Sequence, residues 1–221
     1  MSASNISEIE AMLDRHGLVI LGVLPETVLV GNAGSSFWSG FEHSPEYLDG
    51  LPHPLDRWSI RIGLAVAEAL DARAVFPFEG PPYPPVLAWA RKSGAAQRSP
   101  ISMFIHREFG LWHAHRFALL FSQALPGISS TAAVDSACLS CVGQPCLDAC
   151  PVSAFDENSY RVGDCVGFLL ADEHSECRQR GCNARRACPV GVEFQYQVRH
   201  ARFHMEAFLA SQRHDPGSPK N

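Results

Sequence analysis

Apolar residues first recur at helical spacing. Ile6, Ile9, Met12 and Leu13 predict a helix that closes at Gly17, with Asn5 and Glu8 as a capping pair at its start. Leu18 to Leu24 is an apolar run of strand length broken by Pro25, and Thr27 to Val30 predicts a second strand that ends at Gly31. The stretch from Asn32 to Pro54, rich in Gly, Ser, Pro and aromatic residues, reads as a long loop. Trp58, Ile62, Leu64, Ala65 and Leu70 restore the helical period, predicting a helix from Leu55 that ends near Asp71.

A strand at Ala74 to Phe78 then meets the proline-rich breaker Gly80 to Pro85, where ladder pairing is forbidden. Val86 to Lys92 predicts a short helix closed by Gly94, Ile101 to Ile105 a strand, and Leu111 to Phe121 an apolar strand or helix. Pro126 to Ala137, dominated by Gly, Ser, Thr and Ala, marks a boundary. Beyond it, Phe194, Val198, Phe203, Met205, Phe208 and Leu209 predict a helix over Val192 to Ser211 packed back on the body, and His214 to Asn221 reads as a frayed tail.

With 221 residues, 46% of them apolar, the chain has ample material for a packed core. No apolar run approaches the roughly 20 residues of a membrane-spanning helix, and the polar start predicts neither signal peptide nor anchor. The formal net charge of -5 gives no general attraction to nucleic acid or anionic membrane, so neither is expected as a partner.

All eight cysteines lie between Cys138 and Cys188. Small core hydrophobes would not segregate so sharply, and in the reducing cytoplasm expected here thiols persist as metal ligands. The run Cys138-x2-Cys141-x4-Cys146-x3-Cys150-Pro151 differs from the bacterial ferredoxin run C-x2-C-x2-C-x3-C-P by two extra residues before the third cysteine. In two-cluster ferredoxins the cysteine before the proline ligates the other cluster. Cys188-Pro189-Val190 echoes Cys150-Pro151-Val152, which makes Cys188 the crossing ligand in return. The spacing thus predicts Cys138, Cys141, Cys146 and Cys188 on one 4Fe–4S cluster, and Cys150, Cys165, Cys177 and Cys182 on a second.

Two zinc sites would also use eight thiolates, but the doubled Cys-Pro and the x3 spacing are not zinc-finger spacing; disulfides would need an oxidising compartment. Charge is uneven around these cysteines: Asp135 to Glu176 carries eight acidic residues and one arginine, Arg178 to Arg202 six arginines and one glutamate. A cluster on the arginine side would be the easier to reduce, unless the two stretches are simply solvated faces of opposite sign.

These motifs resemble the epoxyqueuosine reductases and related cobalamin-dependent reductases, in which an α/β domain precedes a dicluster ferredoxin module. The match covers the C-x-x-C motif ending in C-x3-C-P, the lone Cys165 in an apolar segment, and Gly181-Cys182 leading to Cys188-Pro189. It departs where the family places a cysteine three residues after Gly-Cys; here Arg185 stands there and Cys177 lies upstream. The segment Ile105 to His113 is similar in position to the family's glycine-aromatic lead into the ferredoxin module. The resemblance implies cobalamin, or another organic cofactor, on the N-terminal domain. The family's C-terminal repeats, which help bind transfer RNA, have no counterpart, which points away from epoxyqueuosine reduction itself.

Other candidates carry a functional and a plain reading. His106, His113 and His115 cluster around Trp112 with Arg107 and Arg116, as proton relays or cofactor contacts, or as one buried histidine and two solvated ones; His113 and His115 share a face if their segment is a strand. His200 and His204, one helical turn apart, suit a shared metal but are expected at the surface. Gly31 to Ser36 could cradle a phosphate or form an ordinary turn, and Arg57 and Arg61 could bind an anion or face solvent.

The expected fold is α+β: an N-terminal α/β domain over residues 1–134, a ferredoxin-like dicluster domain over 135–191, a helix over 192–211 and a flexible tail from 212. The expected function is an iron–sulfur oxidoreductase: a redox partner protein reduces the clusters, which pass electrons to an acceptor on the N-terminal domain. The alternatives are a non-catalytic ferredoxin-type carrier or partner-binding subunit, and a zinc-stabilised interaction module. A pocket lined by the loops Asn32 to Pro54 and Glu79 to Pro85 would favour the enzyme.

Overall fold

In a computed structural model that describes residues 5–128, 136–156 and 159–213, the first predicted helix is α1 (Ile6–Asp14), and Asn5 caps it by accepting the Glu8 N–H at 2.9 Å. Strand β1 (Val19–Leu24) follows as expected. Strand β2 (Thr27–Ala33) runs two residues beyond the expected end at Gly31. That glycine does not stop the strand; it sits at a register shift in the pairing with β6 (His113–Leu120), where a Cβ would lie 2.1 Å from the Ala114 carbonyl oxygen. Leu111 to Phe121, ambiguous in sequence, is thereby settled as the strand β6.

The expected long loop is largely ordered instead. Asn32 and Ala33 belong to β2, and the short helices α2 (Trp38–Glu42) and α3 (Pro45–Leu48) follow, with Ser44 capping the latter. Phe37, Trp38 and Phe41 are buried, so aromatic burial overrides a Gly- and Pro-rich local composition. Helix α4 (Pro54–Ala69) matches its prediction, whereas β3 (Arg73–Val75) is shorter than expected. Helix α5 (Val86–Lys92) is as predicted, but the expected strand at Ile101 to Ile105 is instead a hairpin of β4 (Ala96–Arg98) and β5 (Phe104–His106).

The main sheet has strand order β1-β2-β6-β3 and every pairing is antiparallel. The alternation of helix and strand does not build parallel βαβ units, and the molecule is α+β in this part too. Both faces of the sheet are covered. Val28, Val30, Phe117 and Leu119 point to a large core with α1 and α4, while the intervening Leu29 and Ala118 point to a smaller one with α5, as the two-residue strand period requires.

The expected boundary at Pro126 to Ala137 and at residue 134 falls mainly outside the described residues. The cysteine-bearing stretch consists of short helices: α6 (Pro145–Asp148), α7 (Val162–Ala171), α8 (Glu176–Arg180) and α9 (Asn183–Arg186). The last helix, α10, spans Val198–Arg213, not Val192 to Ser211. Val192–Phe194 is a separate 3-10 turn, and the first two residues assigned to a tail are helical; the rest of that tail lies outside the described residues.

One crossing joins the two parts. Gly110 and Gly191 both have φ in the left-handed region, at 54° and 68°, and their backbones touch: a Cβ on Gly110 would lie 1.9 Å from the Val190 carbonyl oxygen. Only glycine accommodates both the conformation and the approach.

Candidate redox centre and adjoining cavities

The eight cysteines line two separate cavities, four and four. Cys138, Cys141, Cys146 and Cys188 surround the first, a small cavity of about 20 Å³ closed on the body side by Ile105 and Leu111. Cys150, Cys165, Cys177 and Cys182 surround the second, also of about 20 Å³, closed by Phe155, Phe168, Leu169 and Met205. These are the two groups of four that the spacing predicts.

The short helices explain how the chain reaches these positions. Pro145 at the start of α6 fixes the turn that presents Cys146, and Cys182 stands at the N-cap of α9. The Ala154 N–H donates to Cys150 Sγ at 3.3 Å, the Asn183 N–H to Cys177 Sγ at 3.4 Å, and the Tyr160 hydroxyl to Cys165. All eight thiols are free. Burial, reinforced by neighbouring thiols, raises the pKa of Cys146, Cys165, Cys177 and Cys188, and pushes Cys182 up to about 11. Metal ligation at such sites must therefore displace protons. Among the described residues, no three His, Cys, Asp or Glu side chains converge as the ligands of a single ion.

No family model matches this chain, and no curated protein matches it.

The charge asymmetry read from the sequence is partly cancelled by pairing. Arg178 meets Glu206 at 3.1 Å, Arg180 and Arg186 both meet Glu176, and Arg199 meets Glu42 at 3.0 Å. Arg185 forms no ion pair among the described residues. It donates through Nε and Nη2 to the Leu111 carbonyl and lies over the Trp112 and Tyr196 rings at 4.7 and 4.2 Å.

His113 and His115 do share a region of β6, with ring centres 5.7 Å apart. Contrary to the expectation of one buried histidine and two solvated ones, all three of the cluster are shielded. His106 Nδ1 accepts the Glu108 and Phe109 N–H groups, and His113 donates through Nδ1 to the Gly110 carbonyl. His115 has both ring nitrogens buried without a hydrogen-bond partner among the described residues. Burial lowers the pKa of His106 and His115 to about 4 and of His113 to about 3, so the three rings are neutral. His113 and His115 floor a cleft whose other wall is the proline loop, Pro77 and Tyr83 to Ala88, with about 1130 Å³ of atom-free space. The Glu79 to Pro85 loop thus contributes as expected, but the Asn32 to Pro54 segment does not.

His200 and His204 are not surface residues. His200 is fully buried between Trp38 and Tyr196, its Nδ1 2.8 Å from Ser35 Oγ and its Nε2 3.0 Å from His204 Nε2. The two imidazoles face each other at hydrogen-bond distance. Their spacing with Phe208 along α10, four residues at each step, was the available signal that they lie on the packed stripe. Ser35 and its neighbours form a turn that anchors the start of α10, Ser35 Oγ accepting the Gln197 N–H and Ser36 donating to the Ala33 carbonyl. Arg57 and Arg61 are engaged by Asp49 and Glu46 and are not free anion sites.

Proposed function

We propose that this is an iron–sulfur redox protein in which Cys138, Cys141, Cys146 and Cys188 hold one 4Fe–4S cluster and Cys150, Cys165, Cys177 and Cys182 another. The observation that carries the reading is the four-and-four division of the thiols between two small, mostly apolar cavities. A zinc ion, with Zn–S bonds of about 2.3 Å, draws its four sulfurs to within roughly 3.8 Å of one another, whereas thiols ringed around a cavity suit a bulkier group. When bound, such clusters accept and release single electrons at potentials set by the surrounding hydrogen bonds and solvent access.

The chain's own residues supply those settings. The Ala154 and Asn183 N–H groups and the Tyr160 hydroxyl point at sulfurs and stabilise their thiolate form, and Phe155, Phe168, Leu169 and Met205 keep water from the second quartet. The cleft floored by His113 and His115 is the place for an organic acceptor. A corrinoid, implied by the resemblance to cobalamin-dependent reductases, would lie against His113, His115 and the proline loop. Electrons enter from a separate redox protein.

The test is iron and acid-labile sulfide analysis with a visible spectrum, on protein purified without oxygen and then titrated with cobalamin. About eight irons and eight sulfides per chain are expected. A spectral change on adding cobalamin identifies the acceptor class. Two zincs and no iron would overturn the redox reading.

A further inference from the structure

A third cavity lies where α10, the cysteine region and the body meet. It has a volume of about 250 Å³ and a lining dominated by aromatic and thioether side chains, Trp112, Phe155, Phe208, Met103 and Met205 among them. Two of its polar groups are of one character. Arg185, lying over the Trp112 and Tyr196 rings and without a carboxylate partner among the described residues, brings a positive charge. His204 lies at the end of a hydrogen-bonded chain that begins on the body.

The chain runs from Ser35 Oγ, which accepts the Gln197 N–H at 2.9 Å and lies 2.8 Å from His200 Nδ1, through His200 Nε2 to His204 Nε2 at 3.0 Å. A second cation, on which the Asp56 carboxylate acts electrostatically, stands behind this chain. Arg116 is buried, bonded at 3.0 and 2.9 Å only to the neutral Asn32 Oδ1, whose amide in turn donates to the Tyr196 hydroxyl. No carboxylate lines the cavity among the described residues. Charge of one sign in an apolar enclosure calls for its complement.

We propose that this cavity binds a small aromatic carboxylate, its acid group on Arg185 and its planar body among the aromatic and methionine side chains. A guanidinium already stacked on two rings is preorganised for such a ligand, and a buried cation offered a carboxylate gains a charge-assisted bond that a neutral amide cannot supply. The cavity shares Phe155, Cys165, Cys182 and Met205 with the second cysteine quartet, so the ligand would lie against whatever that quartet holds, and the titration is made on protein that retains it.

The experiment is calorimetric titration of the full chain, purified without oxygen, with 2-naphthoate and with its neutral counterpart 2-naphthamide. Saturable one-to-one binding of 2-naphthoate is expected, with 2-naphthamide weaker by about tenfold or more. Arg185→Gln should bring the two probes to similar affinity. The comparison of probes on the unaltered protein needs no variant to fold. Absence of saturable binding at millimolar 2-naphthoate, or equal affinity for the two probes, would overturn the proposal.

Discussion

The N-terminal body and the cysteine region are stabilised by different means. The body has a continuous apolar core: eighteen buried residues on one face of the sheet, among them Trp38, Phe41, Trp58 and Phe117, and a second cluster on the other. The buried clusters of the cysteine region are small and include Cys177 and Cys188 themselves, with Cys138, Cys146, Cys150, Cys165 and Cys182 packed at their edges. Full burial of one large apolar side chain contributes about 1.5–3 kcal/mol, so the body supports itself. The other region is built of helices of four to ten residues, most too short to be stable alone. On the proposed reading these cysteines are ligands, and the region then depends on what they bind.

The sharpest way to break the comparison is removal of the metal. Stripping iron under chelation should raise amide hydrogen exchange throughout residues 136–190 while the pairing of β2 with β6 stays protected. Equal loosening of both regions would show that they are one cooperative unit. Next in size, Phe117→Ala deletes a fully buried ring at the centre of the sheet and should cost about 3–5 kcal/mol in denaturant unfolding, whether or not iron is present. Gly110→Ala acts at the joint itself. A methyl group 1.9 Å from the Val190 carbonyl oxygen forces the two backbones apart, and a loss of about 1–3 kcal/mol should appear together with reduced iron retention, read by sulfide content.

The smallest effect is a pH dependence. Burial, together with the nearby Arg116 and Arg185 guanidiniums, lowers the pKa of His200 to about 3. The unfolded chain binds this proton near pH 6.5 and the folded chain does not, so the stabilising difference is full above that pH and is lost as pH falls from 6.5 towards 3. The slope approaches about 1.4 kcal/mol per pH unit for one such histidine. His200→Phe should flatten the fall of Tm between pH 6.5 and 5 relative to the unaltered chain; an unchanged slope would assign the acid sensitivity to other groups.

Helices α1, α4 and α5 and strand β1 were legible because apolar period and flanking breakers agree there. Gly31 misled because a glycine that permits a close backbone approach carries the same letter as one that ends a strand. The segment after it misled for the opposite reason: its Gly, Ser and Pro residues describe a loop, while Phe37, Trp38 and Phe41 describe a core, and tertiary burial decided. The division of the cysteines was readable from local spacing and repeated Cys-Pro steps, and the same fours line the two cavities. The histidine pair and the third cavity were not readable, since Ser35, Trp112, Arg185 and His204 meet only through the fold.

The contact of Gly110 with Gly191 also bears on how such a chain can be rearranged. Residue 191 follows Cys188 by three positions, so the last cysteine of the first quartet is delivered from an anchor on the body. The cysteine region is therefore held to its host just after its last cysteine. Grafted elsewhere as a cassette, it would arrive with one sulfur of its first quartet on an untethered strand.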